Sequence, residues 1–202
     1  MSLKISNRFL CFFLMLAGCI SCNSDYQPEI KRRGYFKIDF PEHKYQVFDR
    51  ADYPYSFEYP VYATVIKDST FFDEKAENDW WLNLDLPQFR GRIHLSYKEI
   101  GPKNKFDSLV NDAFTMSYKQ HTYKATGRDD VPIVTPNNIT GYYFTLKGNT
   151  ATGNQFFLTD STKHFLRGAL YFYATPNEDS LSVVNNFVKK DVEHLINTLK
   201  WK

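Results

Sequence analysis

Cysteine is almost missing from this chain. Its 202 residues hold three, Cys11, Cys19 and Cys22, and nothing after residue 22 carries a thiol. The body can therefore form no disulfide, and it has no second cysteine cluster to complete a zinc site of about four ligands. Excess charge is missing too: 25 Lys+Arg against 23 Asp+Glu leave +2, which excludes the strongly basic face that nucleic acid demands. Beyond residue 22 no apolar run approaches the roughly 20 residues of a membrane-spanning helix. The strings that announce catalysis, G-x-S-x-G, the Walker loop, G-x-G-x-x-G and H-E-x-x-H, do not occur. The histidines, His43, His94, His121, His164 and His194, never stand at i, i+2 or i, i+4. They read as surface or interfacial side chains, and neither a metal nor a cofactor is expected.

What is present begins at the N-terminus. "MSLKISNR" is short and basic, "FLCFFLMLA" is wholly apolar, and small residues follow. That is the layout of a secretory signal peptide; a buried core helix is the alternative. In "LAGC", Leu16 stands three residues before Cys19, with Ala17 and Gly18 between, like a bacterial lipobox. Residues 1–18 read as a lipoprotein signal peptide. Cys19 is the residue expected to carry the lipid, with Cys22 after "IS" as the alternative. Several acyl chains, palmitate among them, on one cysteine would anchor the chain stably. Residues 19–33 read as the lipidated N-terminus and a polar tether. Lys31, Arg32 and Arg33 are a solvated charge run there, or touch anionic headgroups. Without Lys4 and Arg8 the remainder has 23 basic and 23 acidic residues.

From residue 34 to 202 the chain reads as one α+β domain. "YFKIDF", "WLNLDLP" and "RIHLSYK" alternate apolar and polar residues as half-buried strands do, the last two as an antiparallel hairpin. Pro54 and Pro60 bound short strands. Phe106, Leu109, Val110, Ala113, Phe114 and Ser117 make one helical face, with Asn104 as its expected cap and Gly127 as its stop. Further strands follow at "VPIVT", "GYYFTLKG" and "NQFFLTD". In "KHFLRGALYFYAT" both faces are large, as in a central strand covered on both sides. A last helix starts near Asn177, with Leu181, Val184, Val188, Val192, Leu195, Ile196 and Leu199 as its stripe. The expected fold is a central, mainly antiparallel sheet with helices packed on it, and the order of elements resembles the PsbP-like sandwich.

Candidates for chemistry are few. Asp73, Glu74, Glu77 and Asp79 cluster in "FFDEKAENDWW", but a carboxylate pair does acid–base work only where its surroundings split the two pKa values. Asp129 and Asp130 resemble an oxygen-ligand calcium site without the full loop motif, and read as a solvated turn. His94, between Arg92 and Ser96 on the polar side of its strand, is the histidine to inspect. With 14 Tyr and 18 Phe, core packing and cross-strand pairs claim most aromatics. The rest could face a protein partner, or a glycan.

"GYFKIDFPEHKY", "YPYSFEYPVYATV", "NLDLPQF" and "RIHLSYK", taken with the lipobox, resemble the gliding motility lipoprotein family GldD of the Bacteroidota. The likeness runs from the anchor to the C-terminal helix. It implies an envelope lipoprotein required for gliding motility and type IX protein secretion. Such a protein is a non-enzymatic assembly or scaffold component, with other gliding and secretion proteins of the envelope as partners. It would be anchored in a membrane, the outer one facing the periplasm in preference to the inner. The family supplies no catalytic residue, and only the acylated cysteine carries over. The alternatives are an envelope module binding glycan, lipid or peptide, and a hydrolase.

Overall fold

Apolar–polar alternation along the strands becomes a sheet with two different faces. The structure, a computed structural model, describes residues 37–67, 70–71, 74–118 and 124–202, and for 70, 71, 74 and 75 the backbone alone. The elements all lie in Ile38–Lys202, one compact unit. They are β1 (Tyr45–Phe48), β2 (Tyr55–Pro60), β3 (Thr64–Lys67), β4 (Thr70–Phe71), β5 (Glu74–Lys75), β6 (Leu82–Leu86) and β7 (Gly91–Glu99), then α1 (Phe106–Tyr118). After it come β8 (Ala125–Val134), β9 (Thr140–Gly148), β10 (Asn154–Thr159), β11 (His164–Phe172), α2 (Glu178–Thr198) and β12 (Lys200–Trp201).

Seven strands form one antiparallel sheet in the order β3-β6-β7-β11-β10-β9-β8, and β1-β2-β12 form a smaller one. The expected hairpin is β6–β7, registered Leu84↔Ile93 across a 3-10 turn at Pro87–Phe89. One face of the large sheet supplies Leu82, Leu84, Ile93, Leu95, Tyr97, Phe156, Leu158, Leu166 and Leu170 to the main core. Phe48, Tyr55 and Phe57 of the small sheet and Val184, Val188, Val192 and Leu195 of α2 close it. On the opposite face, Phe144, Phe157 and Phe165 pack under Leu109 and Ala113 of α1. The strand β11 lies fourth of the seven and feeds both cores, Leu166 and Leu170 one way and Phe165 the other. The result is an α+β sandwich, as the alternation predicts.

Two close approaches explain glycines. An added Cβ at Gly168 would lie 2.2 Å from the ring of Phe156, its partner across the ladder. At Gly141 it would lie 1.8 Å from the backbone oxygen of Phe157.

Several expectations are corrected. The first helix stops at Tyr118, and Gly127 sits inside β8 at a register shift. The Asn104 side chain does not cap that helix; its amide donates to Glu77 and to the Glu99 carbonyl. Lys37–Phe40 is not a strand; Phe40 instead packs against Phe89 and Phe187. The Asp129–Asp130 turn is part of β8, which begins before "VPIVT". The strand β8 is an edge, and its charges, its bulge and Pro132 are devices that discourage pairing with another chain. The second helix starts where expected, and Asn177 caps it by accepting from the Ser180 N–H.

Candidate functional site

The most concentrated polar chemistry lies where residues 38–48 cross α2. Helical spacing puts Phe187, Asp191 and His194 on one side of that helix. Asp191 occupies a position of the apolar stripe, between Val188 and Val192, and its side chain is fully buried. Burial of a carboxylate is costly unless donors surround it, and here they do. One oxygen accepts from Tyr45 at 2.9 Å and meets His43 Nδ1 at 2.7 Å, and the other accepts from the Tyr62 hydroxyl. His43 stacks on Phe187 at 4.3 Å, and Tyr45 stacks on His194 at 3.5 Å. His194 Nε2 in turn reaches Glu58 at 2.7 Å. Burial first, and then the bonded Asp191 charge, push both phenols, Tyr45 and Tyr62, well above the ordinary tyrosine range. The cluster clamps the segment entering the domain onto its longest helix. Sequence reading missed it, although an acid inside an apolar stripe was a signal.

The predicted candidates scatter. Cys19, Cys22, the tether and its basic run lie outside the described residues, as do Asp73 and His121, and the side chain of Glu74. Glu77 is held by Lys98 at 3.1 Å, Lys103 at 3.3 Å and Asn104. Partial burial would raise its pKa, but these partners outweigh burial and lower it. Asp79 pairs with Lys67, and Asp129 with Lys147. His94 lies edge-on to Tyr171 at 5.4 Å. His164, expected near the surface, is buried, stacked on Trp201 at 4.9 Å and bonded to the Tyr97 hydroxyl at 2.7 Å. Burial lowers its pKa, so it packs as a neutral ring.

The tyrosines follow suit. Tyr53, Tyr55, Tyr97 and Tyr143 are core residues, whereas Tyr118 and Tyr173 are exposed. A groove of about 580 Å³ runs between α1 and the β8–β9 edge, lined by Phe106, Val110, Phe114, Ile133, Val134 and Tyr142. Among the described residues no group of three or more His, Cys, Asp or Glu is placed to hold a metal ion. No helix among them is long and apolar enough to cross a membrane.

Comparison with solved structures finds similarity to the solution structure of cyanobacterial PsbP (CyanoP) from Synechocystis sp. PCC 6803. The match has 11% identity and a TM-score of 0.45, and covers 80% of this chain and 95% of that one. No curated protein matches the chain. The family model described as gliding motility lipoprotein GldD matches residues 23–201. That span takes in every element from β1 to β12. The chain therefore belongs to the gliding motility lipoprotein GldD family, whose members are membrane-anchored envelope lipoproteins.

Proposed function

We propose that this lipoprotein is a non-enzymatic assembly component that serves both gliding motility and type IX protein secretion. Acylated Cys19, or Cys22 in its place, would hold it to the periplasmic side of the outer membrane, where it meets other envelope proteins of the same machinery. The observation that carries the reading is the occupation of Asp191. An acid–base residue must reach a substrate proton, yet this carboxylate is sealed from solvent, with both oxygens taken by Tyr45, Tyr62 and His43. Its chemistry serves to hold the entering segment. That segment is also the first described part of the body after the tether. Tension on a lipid anchor would arrive there, and a clamp at this point suits a part that bears load between a membrane and partner proteins.

The test is genetic. Deleting the gene should stop gliding and block export of type IX cargo, with general outer-membrane assembly intact. Alanine at His94, Asp73, Glu77 or Asp129, one at a time, should leave both functions near normal, since such changes rarely exceed about 0.5 kcal/mol. Loss of one acid–base group in an enzyme costs on the order of 10²–10⁴ in rate. A folded, abundant, membrane-bound alanine variant with no gliding would overturn the assembly reading.

A further inference from the structure

The β9–β10 hairpin is pinned to α2 at two points. Asn149 Oδ1 accepts from the Glu178 N–H at 2.9 Å, and Asn154 Nδ2 donates to Asn185 Oδ1 at 2.6 Å. A cavity of about 270 Å³ opens there, walled by the hairpin, the end of β11 and the first turns of α2. Its size is near the small end of ligand sites, which run from about 300 to 1,000 Å³, and suits one small ring.

The second pin has a direction. Buried Tyr143 donates its hydroxyl to Asn154 Oδ1 at 3.0 Å, and Asn154 turns its nitrogen to Asn185. Asn185 thus spends its oxygen and keeps its Nδ2, which donates to no group among the described residues. Asn185 is part-exposed and lines the cavity. An added Cβ at Gly153, another lining residue, would lie 2.7 Å from that nitrogen, so the glycine keeps the space beside it clear. Two hydroxyls join it on the wall. Thr145, opposite Asn154 in the ladder, makes no side-chain hydrogen bond among the described residues. Thr150 donates to the Thr152 carbonyl at 3.3 Å and keeps its oxygen free to accept. Phe172 and Leu181 supply apolar wall.

Charge and topology select the ligand. Lys147 is paired with Asp129 at 3.0 Å, which leaves Glu178 as the one charged wall residue without an ion pair among the described residues. An anion is therefore disfavoured. A peptide recognised through its backbone needs a free sheet edge, but β9 and β10 are inner strands with their ladders occupied on both sides. What the cavity offers is neutral side-chain donors and acceptors beside apolar surface. A sugar ring has the matching character, with hydroxyls that both donate and accept around its rim and C–H groups on its faces. We propose that this cavity binds one neutral sugar unit, with Asn185 Nδ2 and the Thr145 hydroxyl bonding its hydroxyls and Phe172 and Leu181 against a C–H face. The site stands whether or not the chain is an assembly component.

The test uses full-length protein in a detergent without sugar headgroups and ligand-observed NMR. The probes are the methyl glycosides of glucose, galactose, mannose and N-acetylglucosamine. Glucuronate is the charged control and N-acetyl-alanyl-alanine amide the peptide control. At least one glycoside should bind saturably with a Kd on the order of 1 mM, the level that ordinary ligand efficiency gives about a dozen heavy atoms. Both controls should bind at least about tenfold more weakly. Asn185→Asp keeps the oxygen that Asn154 uses and turns the open donor into an acceptor. Thr145→Val removes a hydroxyl that bonds nothing in the protein, and its melting temperature should stay within about 2 °C of the parent's. Each change should weaken glycoside binding about three- to tenfold, the scale of one neutral hydrogen bond, and such a loss in either folded variant supports the site. The proposal is overturned if no glycoside saturates by about 10 mM, if glucuronate or the peptide binds as tightly, or if both variants keep the parent's affinity.

Discussion

Replacing Asp191 with alanine tests the clamp directly. The change removes an ionised acceptor from two phenols and an imidazole, contacts of 2.7 Å to His43 and 2.9 Å to Tyr45 together with the bond from Tyr62. Hydrogen bonds to a charged group contribute roughly 1.5–3 kcal/mol each. The sum is reduced in two ways. Removing a buried carboxylate recovers its desolvation, and His43, about a third exposed, can turn to water. A net loss of about 2–4 kcal/mol follows, a large part of the roughly 5–15 kcal/mol that holds a domain together. At about 2–4 °C per kcal/mol for a chain of this size, the midpoint should fall by about 4–16 °C. Asp191→Asn keeps one acceptor and should lose less. We would measure thermal and urea unfolding by circular dichroism, with hydrogen exchange over β1 to locate the loss. The energies should also couple: Tyr62→Phe should cost clearly less in the alanine background than in the native one. If Asp191→Ala stays within about 0.5 kcal/mol of the parent, or the two substitutions simply add, the clamp argument is wrong.

Alkali should unfold the protein steeply. Tyr55, Tyr97 and Tyr143 are buried and their pKa values are raised, desolvation being the largest cause. An acid whose folded pKa lies above its unfolded value keeps its full contribution below about pH 10, and stability falls as pH rises from there. Three such phenols give a slope of up to about 4 kcal/mol per pH unit, so a stability–pH profile flat from pH 9 to 12 would contradict their burial. Gly168→Ala should cost about 1–3 kcal/mol through overlap with Phe156, and less in a Phe156→Leu background. Equal cost in both backgrounds would exclude that overlap as the cause. Cys19→Ser should abolish acylation and move the protein to the soluble fraction; acyl mass on a peptide that begins at Cys22 would give the anchor to that residue instead.

Much of the body could be read from the chain because its signals are local. Period-two alternation set the faces of β6 and β7, and the 3.6-residue stripe set α2 and its start near Asn177. Large residues on both sides of β11 marked it as central. The lipid site expected at Cys19 is a linear reading of "LAGC" and lies outside the described residues. The misreadings arose where long-range contacts override local preference. Asn104 could cap a helix, but Glu77 lies 27 residues back in the chain and takes its amide. "YFKIDF" alternates like a strand, yet Phe40 is captured by Phe89 and Phe187. His164 gave no hint of burial, because its partners Tyr97 and Trp201 come from β7 and β12. The Asp191 cluster joins side chains up to 148 residues apart. Alternation along a strand determines which side a residue faces. Which residues it meets there depends on strand order, and strand order exists only once the sheet has assembled.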